Sequence, residues 1–290
     1  MTTVLREYHS TGEARALGKD PRNYPLGYSK DEFSRLERQG ALLAELTRDV
    51  LVRAGVDQGM RVLDVGCGVG DVSLVAAELV GASGEVLGVD RSLESVEIAT
   101  RRAANAGRSN VSFVRAELDA FISAGHYDAL IGRLVLLYLP FPSQTLRRLR
   151  GHLRPGVIVV FQEMAMVMGW SSIHGAEFNR YRDLIIATFE RAGIDLDMGG
   201  KLFTTFIAAG LPEPQMTSAA VVGGGVDSPI YDYIANTARS LLPMMERLGV
   251  ATAAEVEIDT AAERVRQETI ENNACIVLPP LIGAWTRTSA

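Results

Sequence analysis

Several things are scarce in this chain of 290 residues. Its only cysteines are Cys67 and Cys275, and no Cys-x-x-Cys pair occurs. A disulfide framework and a thiolate metal site are therefore excluded, and no metal is expected. Reduced thiols fit a cytoplasmic setting. No apolar run approaches the ~18 residues that a membrane helix needs. Runs such as Val157 to Phe161 have the size of buried strands. The opening segment, Met1 to Ala16, carries Arg6, Glu13 and Arg15 and lacks the apolar stretch of a secretory signal. Positive charge is also short, with 29 Lys+Arg against 35 Asp+Glu and a formal charge of −6. A chain with that balance does not grip nucleic acid or an anionic membrane through bulk charge. Lys19, Lys30 and Lys201 are the only lysines, a composition suggestive of a GC-rich bacterial genome. What is present is ordinary globular material, 47% apolar and 22% charged. The length suits one domain with inserts better than two separate folds.

The first fifty-odd residues carry a helical pattern. Ser29-Lys30-Asp31-Glu32 reads as a capping box, Phe33, Leu36, Leu43, Leu46 and Val50 recur at helical spacing, and Gly55 supplies a stop. From Arg61 short apolar strands alternate with helices. Strands are expected at Arg61–Val65, Glu85–Val89, Val111–Val114, Asp128–Ile131 and Val157–Phe161. Helices are expected at Asp71–Val80, from the cap Ser92 to Gly107, and near Ser143–Leu153. That cadence predicts a parallel sheet covered on both faces. Beyond it, a long helix is expected over Ser171–Arg191, a shorter one over Lys201–Ala209, and strands over Gln215–Val222 and Ala274–Trp285. An insert separates those strands: Ser228-Pro229 should cap a helix through Leu248, and Thr252-x-x-Glu255 and Thr260-x-x-Glu263 read as capping boxes. The expected plan is a single domain in four parts. Residues 1–57 form an N-terminal helical lid, 58–163 a ligand-binding core, and 164–212 a second helical lid. Residues 213–290 hold the last two strands with a helical insert at 228–272.

The chemistry is concentrated in Val62-Leu63-Asp64-Val65-Gly66-Cys67-Gly68-Val69-Gly70-Asp71, which ends one strand and opens one helix. A glycine-rich turn there lets backbone approach a nucleotide-like ligand. The dinucleotide fingerprint would want glycine at position 71, where Asp71 stands. An acid at the strand end, Asp64, is also ill matched to a pyrophosphate. Both features suit a ligand with no phosphate and a positive charge, such as S-adenosylmethionine. Asp90 ends the next strand 20 residues beyond Gly70, where a carboxylate can accept from ribose hydroxyls. The following strand delivers Ala116-Glu117-Leu118 to the same edge, with Glu117 in reach of an adenine amino group.

On these residues the chain resembles the class I S-adenosylmethionine-dependent methyltransferases. The resemblance rests on Val-Leu-Asp-Val-Gly-Cys-Gly-Val-Gly, on Gly88-Val89-Asp90, on Tyr127 to Leu134, and on the Leu153-Arg154-Pro155-Gly156 turn. It covers roughly Arg61 to Phe161. It implies an α/β, Rossmann-like, doubly wound sheet of seven strands, one antiparallel, with helical lid insertions and the cofactor over the carboxyl ends of strands one to four. The cofactor contacts so implied are Tyr28, Asp64, Gly66, Cys67, Gly68, Asp90, Arg91, Glu117, Leu118 and Arg133. Glu117 stands where the family more often has aspartate.

Methyl transfer from a sulfonium needs alignment above all, and some acceptors also need a base. Among the four histidines His174 is the best placed, ahead of a face bearing Phe178, Tyr181 and Ile185. Packing that face is its plainer role. Glu163 follows strand five on the ligand edge and could orient a substrate or anchor a neighbouring helix; Arg133 shares that ambiguity. Methionines and aromatics crowd the lid segments (Met164, Met166, Trp170, Tyr231, Tyr233), which suits an apolar small molecule. No Asn-Pro-Pro-aromatic tetrapeptide follows strand four, where Gly132-Arg133-Leu134-Val135 stands. In resembling enzymes that tetrapeptide marks exocyclic or amide nitrogen methylation, so DNA amino-methylation and protein glutamine methylation are not expected; the acceptor atom expected here is oxygen. The expected partners are a small-molecule substrate, with no nucleic acid or membrane, and a homodimer is compatible with the chain. A relative that keeps the cofactor pocket but catalyses a non-methylating step, such as cyclisation, is the competing expectation.

Overall fold

A computed structural model describes Tyr24, Leu26, Gly27 and residues 29–121, 126–151, 153–172 and 175–289. Tyr28 and His174 lie outside the described residues, so the roles expected of them have no structural counterpart here.

The chain begins with α1 (Lys30–Ala54) and then alternates β1 (Arg61–Val65), α2 (Asp71–Val80), β2 (Glu85–Asp90), α3 (Leu93–Asn105), β3 (Val111–Arg115), β4 (Ala129–Arg133), α4 (Pro142–Arg150) and β5 (Ile158–Met164). Next come β6 (Ser171–Ser172), α5 (Ala176–Ala192), α6 (Met198–Ala208), β7 (Gln215–Ala219) and β8 (Val222–Gly223). The chain closes with α7 (Ile230–Arg247), α8 (Ala253–Val256), α9 (Ala261–Glu271), β9 (Ile276–Val277) and β10 (Leu281–Arg287). The large sheet has the order β3-β2-β1-β4-β5-β10-β7. Only β10 runs antiparallel, against both β5 and β7.

Alternation along the central strands sorts their side chains into two layers. Leu63, Leu130, Val159 and Phe161 join one apolar cluster, whereas Val62, Ala129, Ile131, Ile158 and Val160 join the other. All five residues of β4 and all seven of β5 are buried, as strands covered on both faces must be. The chain winds outward from β1 through β2 to β3 and then returns to place β4 on the other side of β1. That reversal opens a crevice beyond the carboxyl ends of β1 and β4, the place where such sheets bind ligands.

The later elements depart from expectation in instructive ways. The helix expected from Ser171 starts only at Ala176, because Ser171–Ser172 pairs with Ile276–Val277 in a small second sheet, β6-β9-β8. Its first-turn amides are capped from a distance: the Glu268 carboxylate accepts from Glu177 N at 3.0 Å. Both expected late strands break in two. Pro279-Pro280 cannot donate to a ladder, so β9 stays in the small sheet while β10 enters the large one. The hydrogen bond from Leu278 N to Val221 O, 2.9 Å, marks where both chains change sheets.

Three caps also differ. Ser29 does accept from Glu32 N, but the Glu32 carboxylate turns to Arg35 and Tyr24 and does not close a box. Pro229 is the N-cap of α7, and the buried Ser228 hydroxyl has no hydrogen-bond partner. Thr260 ends a 3-10 turn, so its hydroxyl donates back to Glu257 O and makes no cap bond. The box at Thr252 and Glu255 is complete, though on a helix of four residues.

Candidate cofactor and substrate site

Beyond β1 the chain makes its glycine turn. Gly66 N and Cys67 N both donate to Val89 O, at 2.8 and 3.0 Å, which ties the turn to β2. Gly66, Gly68 and Gly70 all have positive φ. At Gly66 a Cβ would lie 2.4 Å from Val135 Cγ2, and at Gly70 it would lie 2.9 Å from the Phe113 ring. Those two glycines are demanded by packing as well as by conformation. Gly68 is different: nothing stands within 4 Å of where its Cβ would be. It faces open space.

That space is a cavity of about 200 Å³ along the carboxyl ends of β1 to β4. Eight of the expected cofactor contacts line it: Gly66, Cys67, Gly68, Asp90, Arg91, Glu117, Leu118 and Arg133. Asp90 is fixed by two backbone donors, Gly68 N to Oδ2 and Ser92 N to Oδ1, each at 2.9 Å. Each carboxylate oxygen has a further lone pair to offer. Burial pushes the Asp90 carboxyl above its ordinary range, and the two amides pull it back. Burial raises the Cys67 thiol well above its usual value, so the sulfur is a neutral packing group and no nucleophile.

Asp64 does not line the cavity. It lies beneath the turn, 1% exposed, with Oδ2 accepting from Ser73 Oγ at 2.6 Å and Oδ1 without a partner. Burial pushes its carboxyl up to about 7, against the pull of Ser73 and Arg133. Glu163 is likewise absent from the lining and fully buried. Its Oε1 accepts from Val135 N at 3.0 Å and Leu136 N at 2.7 Å, and burial raises its carboxyl to about 8. Of the two roles weighed for Glu163, anchoring is the one its contacts serve. The anchored segment is the 3-10 turn Leu136–Tyr138, entered through Leu134 at a left-handed φ of 54°. A leucine held there stores strain, and the Glu163 clamp is what over-determines it.

Sequence reasoning missed part of the wall. Leu36 and Gln39 reach the cavity from α1, and Asp71, Ser95, Asp119 and Tyr138 also line it. In the sequence Asp71 stands out only as the residue that spoils a dinucleotide fingerprint. In place, its carboxylate pairs with Arg102 at 2.8 Å and burial raises its affinity for a proton. Gly40 explains how α1 comes so close, since a Cβ there would sit 2.2 Å from Asp71 Cγ.

Gln39, Leu134 and Tyr138 are shared with a second, inner pocket of about 30 Å³. Its walls are mainly apolar, among them Leu26, Leu137, Met164, Met166, Trp170 and Ile185. In its wall Arg35 makes two bonds of 2.7 Å to the Glu32 carboxylate and one of 2.6 Å to Gln39 Oε1. Tyr24 donates to Glu32 at 3.0 Å and meets Tyr138 edge to face, with ring centroids 5.1 Å apart.

Comparison with known proteins now bears on this geometry. Residues 56–191 match the model of a methyltransferase domain family. The chain is 32% identical over 115 residues to trans-aconitate 2-methyltransferase of Azoarcus sp., a match covering 40% of this chain and 43% of that enzyme. It is 28% identical over 195 residues to methyltransferase GfsG of Streptomyces halstedii, covering 63% and 68%. Among solved structures, that of the [4+2]-cyclase SpnF superposes with a TM-score of 0.52 at 20% identity, over 85% of this chain and 81% of that one. At that identity the likeness is one of fold. The chain spans about half or less of the length of the first curated relatives it matches. The matched domain, the strand order and the glycine turn agree, and over residues 56–191 the chain is similar to the class I S-adenosylmethionine-dependent methyltransferases.

Proposed function

We propose that this chain transfers a methyl group from S-adenosylmethionine to a small, largely apolar metabolite, at oxygen, in bacterial secondary metabolism. One observation carries the reading: the cavity holding the acids and the glycine turn adjoins an apolar inner pocket, the two sharing Gln39, Leu134 and Tyr138 as wall residues. The donor set fits the cofactor. Gly68 offers a bare backbone face, and Asp90 and Glu117 offer acceptors toward a ribose and an amino group. When bound, S-adenosylmethionine supplies a methyl group already activated on a sulfonium. The protein's own work is orientation and exclusion of water. Leu36 and Gln39 of α1 and Leu139-Pro140 after the 3-10 turn cover the cavity, while Glu163 holds the turn that carries Leu134 between the two pockets.

The test is a melting scan followed by a transfer assay. S-adenosylhomocysteine should raise the melting temperature and NAD should not. Incubation with methyl-labelled cofactor and a host metabolite extract should then label a small apolar product. Labelling of protein or nucleic acid alone would sink the acceptor class.

One observation favours the second reading, a non-methylating step such as cyclisation. Among the described residues, those lining the inner pocket include no carboxylate and no imidazole to act as a base. Product formed with the label retained on the cofactor would decide for it.

A further inference from the structure

Gln39 of α1 stands in the wall shared by the two pockets, and its amide has one orientation open to it. Arg35 Nη1 approaches Gln39 Oε1 at 2.6 Å. An arginine side chain has no acceptor, so the atom facing it must be the amide oxygen. The amide nitrogen is left over with its two N–H donors, and among the described residues it has no hydrogen-bond partner. Arg35 closes its fork on Glu32 through Nε and Nη2, at 2.7 Å each. Arg35 lines the inner pocket and Glu32 does not, so the buried pair turns its positive end to that space. A second donor is unmet in the same wall: Trp170 Nε1 is buried without a partner. Buried donors left unpaired are costly, and an acceptor relieves them.

Groups able to take a proton are lacking around this amide. The titratable side chains of the inner wall are Arg35, Tyr138 and Tyr233, with Tyr24 on the outer side. Burial holds all three phenols protonated, and the bonds of Arg35 to Glu32 outweigh burial to keep it charged. In the outer cavity Asp71 is paired with Arg102, and Asp90 is held by two backbone amides. A neutral alcohol would have to shed its proton during transfer, whereas an oxygen already ionised would not. We propose that the methyl acceptor is an acidic enol or phenol, bound as its anion, with Gln39 Nε2 donating to the acceptor oxygen and Arg35 holding the amide in that orientation. The ionised oxygen supplies the electron pair of the new C–O bond, and the pair of the broken C–S bond stays on sulfur. Negative oxygen and positive sulfonium both become neutral, and no proton has to be placed. A carboxylate is the poorer fit, since it calls for a two-pronged donor and the arginine fork is already closed on Glu32. The inference deepens the reading of methyl transfer to oxygen given above and rests on it.

The test supplies methyl-labelled S-adenosylmethionine with probes of matched frame: 4-hydroxycoumarin and 4-nitrophenol as acidic hydroxyls, 4-chromanol and 4-nitrobenzyl alcohol as alcohols, and 4-nitrobenzoic acid as a carboxylate. The wild type should methylate the two acidic hydroxyls and leave the other three behind. An alcohol or the carboxylate methylated as fast overturns the proposal. For the two acidic probes, kcat/KM should rise with pH to a plateau, and its midpoint should move with the ionisation of each probe. One midpoint common to both marks a base on the protein and overturns it as well. Neither measurement needs a variant to fold. Gln39→Leu should raise KM for 4-nitrophenol roughly ten- to a hundredfold, the range of a hydrogen bond to a charged group. Its kcat should change less, because that bond weakens as the oxygen loses its charge. A lowered kcat with KM unchanged overturns the role of Gln39. Transfer to none of the five probes, with S-adenosylhomocysteine still bound, overturns this inference and leaves the labelled extract to decide on methyl transfer. Failure to bind S-adenosylhomocysteine removes both readings.

Discussion

At the scale of single residues, the half-buried Asp90 and the buried Asp64 and Glu163 have three different jobs. Asp90 faces the cavity with spare lone pairs, and Asp90→Ala should weaken S-adenosylhomocysteine binding roughly ten- to a hundredfold by calorimetry. Unchanged affinity would remove Asp90 from the site. Asp64 lies below the turn with its carboxyl pushed up to about 7. An unfolded chain releases that proton near ~3.9, so between those values the folded chain holds a proton the unfolded one has lost. Its contribution to stability is therefore full below about pH 4 and disappears as pH rises through 7. Asp64→Asn should melt higher than the wild type at pH 8 and level with it at pH 4. An advantage that is the same at both pH values would contradict the assigned burial. Glu163, whose Oε1 is occupied by backbone amides, looked from sequence like a catalytic candidate only because it ends a strand on the ligand edge.

At the scale of elements, α1 is the piece whose placement decides the site. Its Leu36 and Gln39 wall the cavity, Thr47 meets Arg133, and Val50 and Leu51 pack into the core below. A glycine inside such a helix costs ~1 kcal/mol against alanine, so propensity alone would make Gly40→Ala stabilising. The tertiary structure reverses the sign. An alanine methyl would strike Asp71 Cγ, and Asp71 is held by Arg102. Overpacking of this kind costs about 1–3 kcal/mol. Gly40→Ala should thus melt below the wild type, and the double variant Gly40→Ala with Asp71→Ala should recover most of the loss. A single variant that melts higher would show that α1 does not press on the start of α2.

At the scale of the whole molecule, the two pockets differ in readiness. The outer cavity is open, while the inner pocket, at about 30 Å³, holds no more than a water or two. A metabolite needs several hundred Å³, so the walls contributed by α1, α5 and α7 must part to admit it. Binding of S-adenosylhomocysteine should slow amide exchange in residues 36–40 of α1 and in 134–139, the segments that line the outer cavity. The distant edge strand β7 should be unaffected, and equal slowing there would point to a global effect of the ligand on stability.

The amino-acid sequence by itself determined the β1-to-β5 cadence, because local apolar runs, caps and glycine stops act over a few residues and need no distant partner. It also determined the glycine turn and the series Asp90, Glu117, Arg133, since each sits at the end of a strand whose direction is set by that cadence. The tertiary structure decided what depends on contacts between remote segments. It turned Asp64 and Glu163 away from the cavity, and moved the start of α5 by drawing Ser171–Ser172 into the small sheet. It also broke two expected strands between two sheets, and it brought Leu36, Gln39 and Asp71 to a wall that no local pattern marks. A carboxylate reads the same in a sequence whether it meets a ligand or a backbone amide. Which one it meets is fixed only when the elements pack.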